Sequence, residues 1–175
     1  NPCPIRRPYA APSLPDSAFC RGKVPMTKEE IRLLVLARLR LEPHHTVWDV
    51  GAGTGSVSVE CALALPEGRL FAVEHKEEAV ALLRENRARF GLTNLHIVPG
   101  TAPEVLTGLP APDRVFLGGT GGGMAAILRT ALAKNPAVRF VVTAVTLETV
   151  AEAMNCFAAL ELQEAEAVQI AATRT

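Results

Sequence analysis

One short stretch of the chain combines the residue types that bind a nucleoside-bearing cofactor. An apolar run, Val47–Val50, ends in three glycines that are spaced two apart: Gly51, Gly53 and Gly55. Glycine permits backbone angles that other residues avoid, and it leaves no Cβ where a ligand must lie against the main chain. A helix that begins near residue 56 would add unpaired N–H groups, which favour an anionic group nearby. A second apolar run closes on an acid, Glu74. The order of strand, glycine turn, helix, strand and acid predicts a cofactor site at the carboxyl end of a parallel sheet.

The glycine spacing indicates which cofactor binds. A dinucleotide-binding loop reads Gly-x-Gly-x-x-Gly, so its third glycine would stand at position 56, which here is Ser56. The heptad that starts at Asp49 instead resembles motif I of the class I S-adenosylmethionine-dependent methyltransferases. In that family the loop lies against the methionine part of the cofactor, and the acid after the second strand binds both ribose hydroxyls. The resemblance therefore implies S-adenosylmethionine as cofactor and Glu74 as the ribose-binding acid, since a carboxylate accepts two hydrogen bonds at once.

Apolar runs that alternate with helical patterns predict an α/β fold, a three-layer αβα sandwich with a mostly parallel sheet. The resemblance to the class I methyltransferases implies the same Rossmann-like fold. Thr27–Glu30 has the form of a capping box and predicts the start of the first helix, with Thr27 as its N-cap. In that family the sheet usually closes with a sixth strand and an antiparallel seventh. Either the seventh strand is missing from this sequence, which we favour, or the fold is trimmed here. Strands are predicted at 46–50, 69–74, 95–98, 115–117, 140–145 and 165–172.

Bulk composition restricts the class of protein. A length of 175 residues predicts one domain, placed here at 26–175, after a proline-rich linker or arm at 1–25. The formal net charge of zero argues against nucleic acid as a partner. The chain has no apolar run of membrane-spanning length, so we expect no membrane association. Its four cysteines are scattered, which favours reduced thiols in the cytoplasm over a metal site.

Segments outside motif I are similar to one branch of these methyltransferases, the decarboxylating corrin-ring methyltransferases of cobalamin biosynthesis. The most specific are Gly118–Gly122, after the fourth strand, and Ala144–Thr149, after the fifth. The resemblance covers about residues 14–172 in order. It implies methylation of C15 of a precorrin and loss of the carboxyl group from the acetate arm on C12. Members occur alone or as the carboxyl-terminal half of bifunctional precorrin-6Y C5,15-methyltransferases, and the proline-rich opening favours the fused form. Relatives of this type associate as tetramers, which implies a homo-oligomer.

The resemblance also implies the site residues. The cofactor-binding set is Thr27, Asp49, Gly51, Ala52, Gly53, Thr54, Gly55, Glu74 and Ala102. The substrate-binding set is Gly118, Gly119, Thr120, Gly121 and Gly122, a loop whose bare N–H groups would suit a macrocycle with carboxylate arms. The family often has an acid where this chain has Thr101, so the adenine pocket here lacks that charge.

The sequence shows no arrangement typical of a protein nucleophile, and methyl transfer to an electron-rich carbon requires chiefly alignment. Thr146 and Glu148 are weak catalytic candidates that could equally be the N-cap and first-turn acid of the following helix. His44 and His45 precede the first strand, at the edge opposite the cofactor, and are expected to be solvated. Three alternatives stay open: a methyltransferase for another substrate, a nicotinamide-dependent oxidoreductase, and a non-catalytic nucleoside-binding module.

Overall fold

A parallel sheet of five strands forms the centre of the structure, a computed structural model that describes residues 13–119 and 122–173. The strands run β1 Thr46–Val50, β2 Arg69–Glu74, β3 Leu95–Pro99, β4 Arg114–Leu117 and β5 Arg139–Val142. The helices are α1 Glu29–Leu39, α2 Ser56–Leu63, α3 Glu77–Arg89, α4 Met124–Lys134 and α5 Leu147–Ala159, with 3₁₀ turns at Asp16–Ala18 and Glu104–Gly108. The spatial order is β3-β2-β1-β4-β5, and each pair of neighbours is parallel.

Alternate residues of β1 face two separate hydrophobic layers. Val47 packs in the cluster that includes Leu36 of α1, Val59 of α2 and Leu83 of α3. Trp48 faces the other way, into the cluster formed with α4 and α5, and its indole N–H donates to the Pro110 carbonyl at 3.1 Å. Both faces of the sheet are therefore covered by helices, as a parallel sheet requires. Among the described residues, none of the helices is both long and apolar enough to span a membrane.

The predicted α/β sandwich is confirmed, and the predicted strand bounds agree within a residue or two at the first four strands. The predicted strand at 165–172 is wrong. Residues 165–173 form no strand and are exposed. They do not pair with β5, which is the last strand of the described sheet, so their backbone has no neighbouring strand. The predicted capping box is also wrong, since Lys28 is the N-cap of α1 and its side chain caps no N–H group.

Residues 13–25 form an arm that packs onto the sandwich. Leu14 and Phe19 are buried in the same cluster as α1, α2 and α3. The Arg32 side chain is fully buried. It donates to the carbonyl of Leu14 and, at 2.7 Å, to that of Thr27, and it pairs with Asp16 at 3.1 Å. The guanidinium also lies 4.7 Å from the centre of the Phe19 ring.

Glu60 of α2 holds the same arm from the other side. Its carboxylate is fully buried and accepts the backbone N–H groups of Ser13 and Leu14, and it lies 3.5 Å from the Arg32 guanidinium. Two buried side chains of opposite charge therefore contact the start of the arm. Each of them hydrogen-bonds to backbone groups and also lies close to the other charge.

We expect Arg32→Met to lower the free energy of unfolding by about 3–5 kcal/mol, because it leaves a buried carboxylate and two carbonyls without their donor. Arg38→Met on the same helix is the control. Arg38 is half exposed and pairs with an exposed acid, so its loss should cost less than about 1 kcal/mol. Urea denaturation measures both values, and equal stability of the two variants would contradict the role assigned to Arg32.

Candidate cofactor and substrate site

The carboxyl edge of the sheet contains a crevice where the strand order reverses. From β1 the chain continues to β2 and then β3 on one side of the sheet. It then crosses to the other side of β1, where β4 and β5 lie. Gly51 follows β1 and Gly118 follows β4, and the Gly118 N–H donates to the Val50 carbonyl at 3.1 Å. Ligands of open parallel sheets bind at such a reversal.

The glycine loop, residues 51–55, is held to the end of β2 by its own backbone. The N–H groups of Gly51 and Ala52 both donate to the Val73 carbonyl at 3.0 Å. Gly51, Gly53 and Gly55 have φ values of +76°, +57° and +78°, in the left-handed region that favours glycine. The backbone angles that the glycine pattern predicted are therefore present at each of the three positions.

Gly51 also lies against the loop that follows β4. A Cβ built on Gly51 would overlap the backbone carbonyl of Gly119 and come within 2.9 Å of its nitrogen. A Cβ on Gly119 would meet no atom of the described residues within 4 Å. The two loops that flank the crevice therefore touch through bare backbone, and only one of them has room for a side chain.

Glu74 links the end of β2 to the glycine loop. Its carboxylate is buried and accepts N–H groups from Gly53 at 2.9 Å, His75 at 2.8 Å and Lys76 at 2.9 Å. The His75 ring lies 3.4 Å from one carboxylate oxygen. The Glu74 carbonyl accepts the Gly100 N–H at 3.0 Å, which brings the turn after β3 to the same place. The sequence placed Glu74 correctly at the strand end, but these backbone donors could not be predicted from it.

Asp49 is buried beneath the glycine loop, with 1 % of its surface exposed. One carboxyl oxygen accepts the hydroxyl of Ser58, on α2, and the other has no hydrogen-bond partner among the described residues. The pKa of Asp49 is raised to about 7, chiefly by burial and to a smaller extent by the negative charge of Glu74, while the Ser58 hydrogen bond opposes the rise. Asp49 is thus a buried carboxyl group with one oxygen that is available to a ligand at the glycine loop.

The arm reaches the glycine loop as well. Asn86 of α3 is fully buried, and its amide donates to the carbonyls of Cys20 at 2.7 Å and Thr54 at 2.8 Å. An added Cβ on Gly53 would lie 3.5 Å from the carbonyl oxygen of Pro25. The sequence placed Asn86 on the buried face of a helix by its spacing. It could not predict that Asn86 bridges the arm and the glycine loop, because no local pattern indicates where the arm packs.

The predicted substrate loop is described only in part, since Thr120 and Gly121 lie outside the described residues. Gly118 and Gly119 are exposed at the crevice, and Gly122 has a φ of +90° with open space around it. Ala102 follows β3 and packs beside Leu106 and the α4 cluster, while Thr101 is exposed.

Thr146 and Glu148 lie at the start of α5, beyond the end of β5. Thr146 is the N-cap, and its hydroxyl accepts the Thr149 N–H at 3.3 Å, which confirms the structural interpretation of this residue. Both side chains are exposed, so a substrate contact is sterically open to them. Two large apolar side chains beside them are also exposed, Val145 at 99 % and Leu147 at 84 %.

The expectation for His45 was wrong. Its ring is buried, and Nδ1 accepts the Glu42 N–H at 2.9 Å, because the loop before β1 folds back on itself. Burial and the nearby Arg114 charge lower the pKa of His45, so the ring is neutral near pH 7. His44 is exposed, as expected, and both rings lie at the opposite edge from the glycine loop. Cys61 and Cys156 are buried free thiols.

We expect Gly51→Ala to lower the free energy of unfolding by about 2 kcal/mol or more, because the φ of +76° and the Gly119 carbonyl both exclude a Cβ. Gly119→Ala is the matched control and should change stability by less than about 1 kcal/mol, since its Cβ would enter open space. Thermal and urea unfolding check both values. A Gly51→Ala protein as stable as Gly119→Ala would show that the loops do not touch as described.

The sequence profile of the family described as "Precorrin methyltransferase domain" matches residues 18–174. A relative from Pyrobaculum calidifontis, named as a probable cobalt-precorrin-6B C(15)-methyltransferase (decarboxylating), is 44% identical over 170 residues, which cover 95% of this chain and 87% of the relative. The enzyme of that name from Salmonella typhimurium is 41% identical over 157 residues, with 89% and 81% covered.

Solved structures agree with these relatives. The precorrin-6y C5,15-methyltransferase of Geobacter metallireducens superposes with a TM-score of 0.81 at 35% identity, covering 87% of this chain and 81% of that one. The carboxyl-terminal domain of precorrin-6Y C5,15-methyltransferase from Rhodobacter capsulatus gives a TM-score of 0.77 at 37% identity, covering 85% and 79%. With a glycine loop, a buried Asp49 and a strand-end Glu74 at the carboxyl edge of a β3-β2-β1-β4-β5 sheet, this chain belongs to the precorrin methyltransferase family.

Proposed function

We propose that this protein transfers a methyl group from S-adenosylmethionine to C15 of a precorrin and removes the carboxyl group of its C12 acetate arm. The observation that supports this most strongly is the match over nearly the whole chain to relatives named for that reaction. The glycine spacing and the acid at Glu74 support a methyltransferase over a nicotinamide-dependent oxidoreductase.

The residues at the crevice fit the cofactor. Three of the five residues of Gly51–Gly55 carry no side chain, which lets a ligand approach the loop backbone, and the unpartnered oxygen of Asp49 suits a cationic neighbour. Glu74 would hold the ribose hydroxyls, since a carboxylate with three N–H donors retains acceptor capacity. Ala102 would offer its N–H to adenine, and Thr27, next to the segment that packs on Gly53, would close the site.

S-adenosylmethionine supplies an activated methyl group when it is bound. The protein then has to align that methyl group with the acceptor carbon and exclude water, so no protein nucleophile is required. Loss of CO₂ needs an electron sink beside the acetate arm, which a protonated imine of the macrocycle can provide. A general acid would assist, and Thr146 and Glu148 are the residues we propose for that side of the site.

The glycines at 118, 119 and 122 support a substrate position on the β4 side of the crevice, because a flat macrocycle needs backbone that it can approach closely. Thr120 and Gly121 would belong to the same loop. The Gly51–Gly119 contact would then bring substrate and cofactor to adjacent faces of one backbone junction.

We further propose that the protein forms a homo-oligomer, specifically a tetramer. We also propose that the domain is fused to an upstream C5-methyltransferase domain in a longer protein. The exposed apolar residues Val145 and Leu147 support association, because isolated domains seldom expose two such neighbours. The Rhodobacter capsulatus relative, described as a carboxyl-terminal domain, supports the fusion. The free thiols Cys61 and Cys156 support a reducing compartment, the cytoplasm.

The reaction is tested by incubating the protein with a C5-methylated precorrin and S-adenosylmethionine that carries a labelled methyl group. We expect mass spectrometry to show the gain of one labelled methyl and the loss of one CO₂ in the same product. Gain of methyl without decarboxylation would point to a different acceptor position, and no gain from any precorrin would refute the proposal.

We expect Glu74→Gln to raise the KM for S-adenosylmethionine by about tenfold to a hundredfold, because the hydrogen bonds to the ribose lose their charge. Glu77→Gln is the control, since Glu77 is an exposed acid three residues away on α3, and its KM should stay within about twofold. Initial-rate kinetics and equilibrium dialysis measure both variants. An unchanged dissociation constant in Glu74→Gln would exclude this residue from the cofactor site.

A further inference from the structure

Asp49 is an ionisable side chain that the fold buries without a positive partner. It stands in the middle of the sheet, opposite Ala72 of β2 and Phe116 of β4. None of the ion pairs found between described residues includes Asp49, and one of its oxygens is left without a hydrogen bond. A buried carboxylate in such a place is costly unless a cation arrives to share it.

The groups that face Asp49 push it towards the protonated form. Glu74 on β2 adds negative charge nearby, and the Cys61 thiol on α2 is neutral, because burial raises its pKa well above the ordinary value. The strand neighbours Ala72 and Phe116 contribute no charge. The Ser58 hydroxyl is the one described contact that favours the carboxylate, because it donates to the charged oxygen.

The position of Asp49 makes it sensitive to a cation in the crevice. It precedes Gly51 by two residues, so their Cα atoms are at most about 7 Å apart. A positive charge that rests on the glycine loop would therefore lie within range to stabilise the ionised form of a desolvated carboxyl group. S-adenosylmethionine carries both an ammonium and a sulfonium group, whereas S-adenosylhomocysteine carries the ammonium alone.

We propose that Asp49 holds a proton in the free protein and releases it to solvent when S-adenosylmethionine binds, and that Ser58 is the positioning residue that makes this release possible. The inference rests on the proposed function, because it needs the cofactor to bind on the glycine loop. The proton passes from the carboxyl group to buffer, and the carboxylate that remains balances the bound cation. No covalent bond to the cofactor forms or breaks in this step.

The sign of the pH effect follows from this exchange. Below about pH 7 free Asp49 is protonated, so binding must release a proton and weakens by up to tenfold for each unit of further acidification. Above about pH 8 Asp49 is already ionised and the dependence disappears. Because the loop also contacts another ionisable side chain, Glu74, a pH-dependent affinity alone does not identify Asp49 as the group that responds.

The test is carbon-13 NMR of the protein labelled at aspartate carboxyl carbons. The chain has three aspartates, Asp16, Asp49 and Asp113, so Asp49→Asn assigns the resonance directly. We expect the Asp49 signal of the free protein to titrate with a midpoint near 7. With saturating S-adenosylmethionine we expect the carboxylate position to persist down to at least pH 6. S-adenosylhomocysteine in a parallel titration shows whether the ammonium group alone has this effect.

Ser58→Ala separates positioning from packing. It removes the donor, so the midpoint of free Asp49 should move upward and the dissociation constant at pH 7 should rise, while Ser58→Thr, which keeps a hydroxyl, should retain the original midpoint. A purely structural role for Ser58 would lower stability and leave the midpoint unchanged. If S-adenosylmethionine binds but the Asp49 signal titrates near 4, or titrates identically with and without it, the inference is wrong while the proposed function survives. If S-adenosylmethionine fails to bind at all, both fall.

Discussion

The hydrogen bonds of the Glu74 carboxylate hold the site together. One acid at the end of β2 accepts an N–H from Gly53 in the glycine loop and two from the chain that leads into α3. The loop after β1 and the loop after β2 are therefore parts of one unit, and the Gly100 N–H adds the loop after β3. Three crossover connections meet at this residue: the first two depend on the charge and burial of its carboxylate, and the third uses its backbone carbonyl.

A second constraint comes from the buried charges behind this loop. Arg32 and Glu60 fasten the arm to α1 and α2, and Asn86 joins the arm to the loop through Cys20 and Thr54. These polar groups lie among apolar side chains, where each unpaired group would be costly, and their hydrogen bonds select one arrangement of the arm. The arm is thus part of the site wall.

The sequence predicted the parts of the fold that depend on neighbours along the chain. Strand periodicity placed β1 and β2 to the residue, and the glycine spacing located the loop, because both signals arise from local backbone geometry. The partners of Arg32 and the burial of His45 are set by residues distant in sequence or by a loop that folds back, so local patterns could not indicate them. The capping box failed for a related reason: the Thr27 carbonyl is used by Arg32, and the helix begins one residue later than the motif predicted.

Residues 165–172 have a spacing of apolar residues that is compatible with a strand, but they have no partner strand in the structure, so the prediction of a strand there was wrong. Val168 and Ile170 stand on either side of Gln169 with the spacing of two that is typical of a strand, but a strand is stable only when another strand satisfies its N–H and C=O groups. β5 therefore ends the sheet among the described residues, and its four residues are only half-buried.

The two sides of the crevice differ in how firmly they are held, and this follows from their partners. On the β2 side, Glu74, Val73 and Asn86 all bond the glycine loop. On the β4 side, the Gly118 N–H donates to Val50, while a Cβ on Gly119 or Gly122 would meet no atom in the described part of the chain within 4 Å. A firmly held wall suits precise placement of the methyl donor, and a wall of bare backbone suits the close approach of a large macrocycle. The contact between Gly51 and Gly119 is where these two walls join, so a side chain at Gly51 would disturb both of them at once, directly above Asp49.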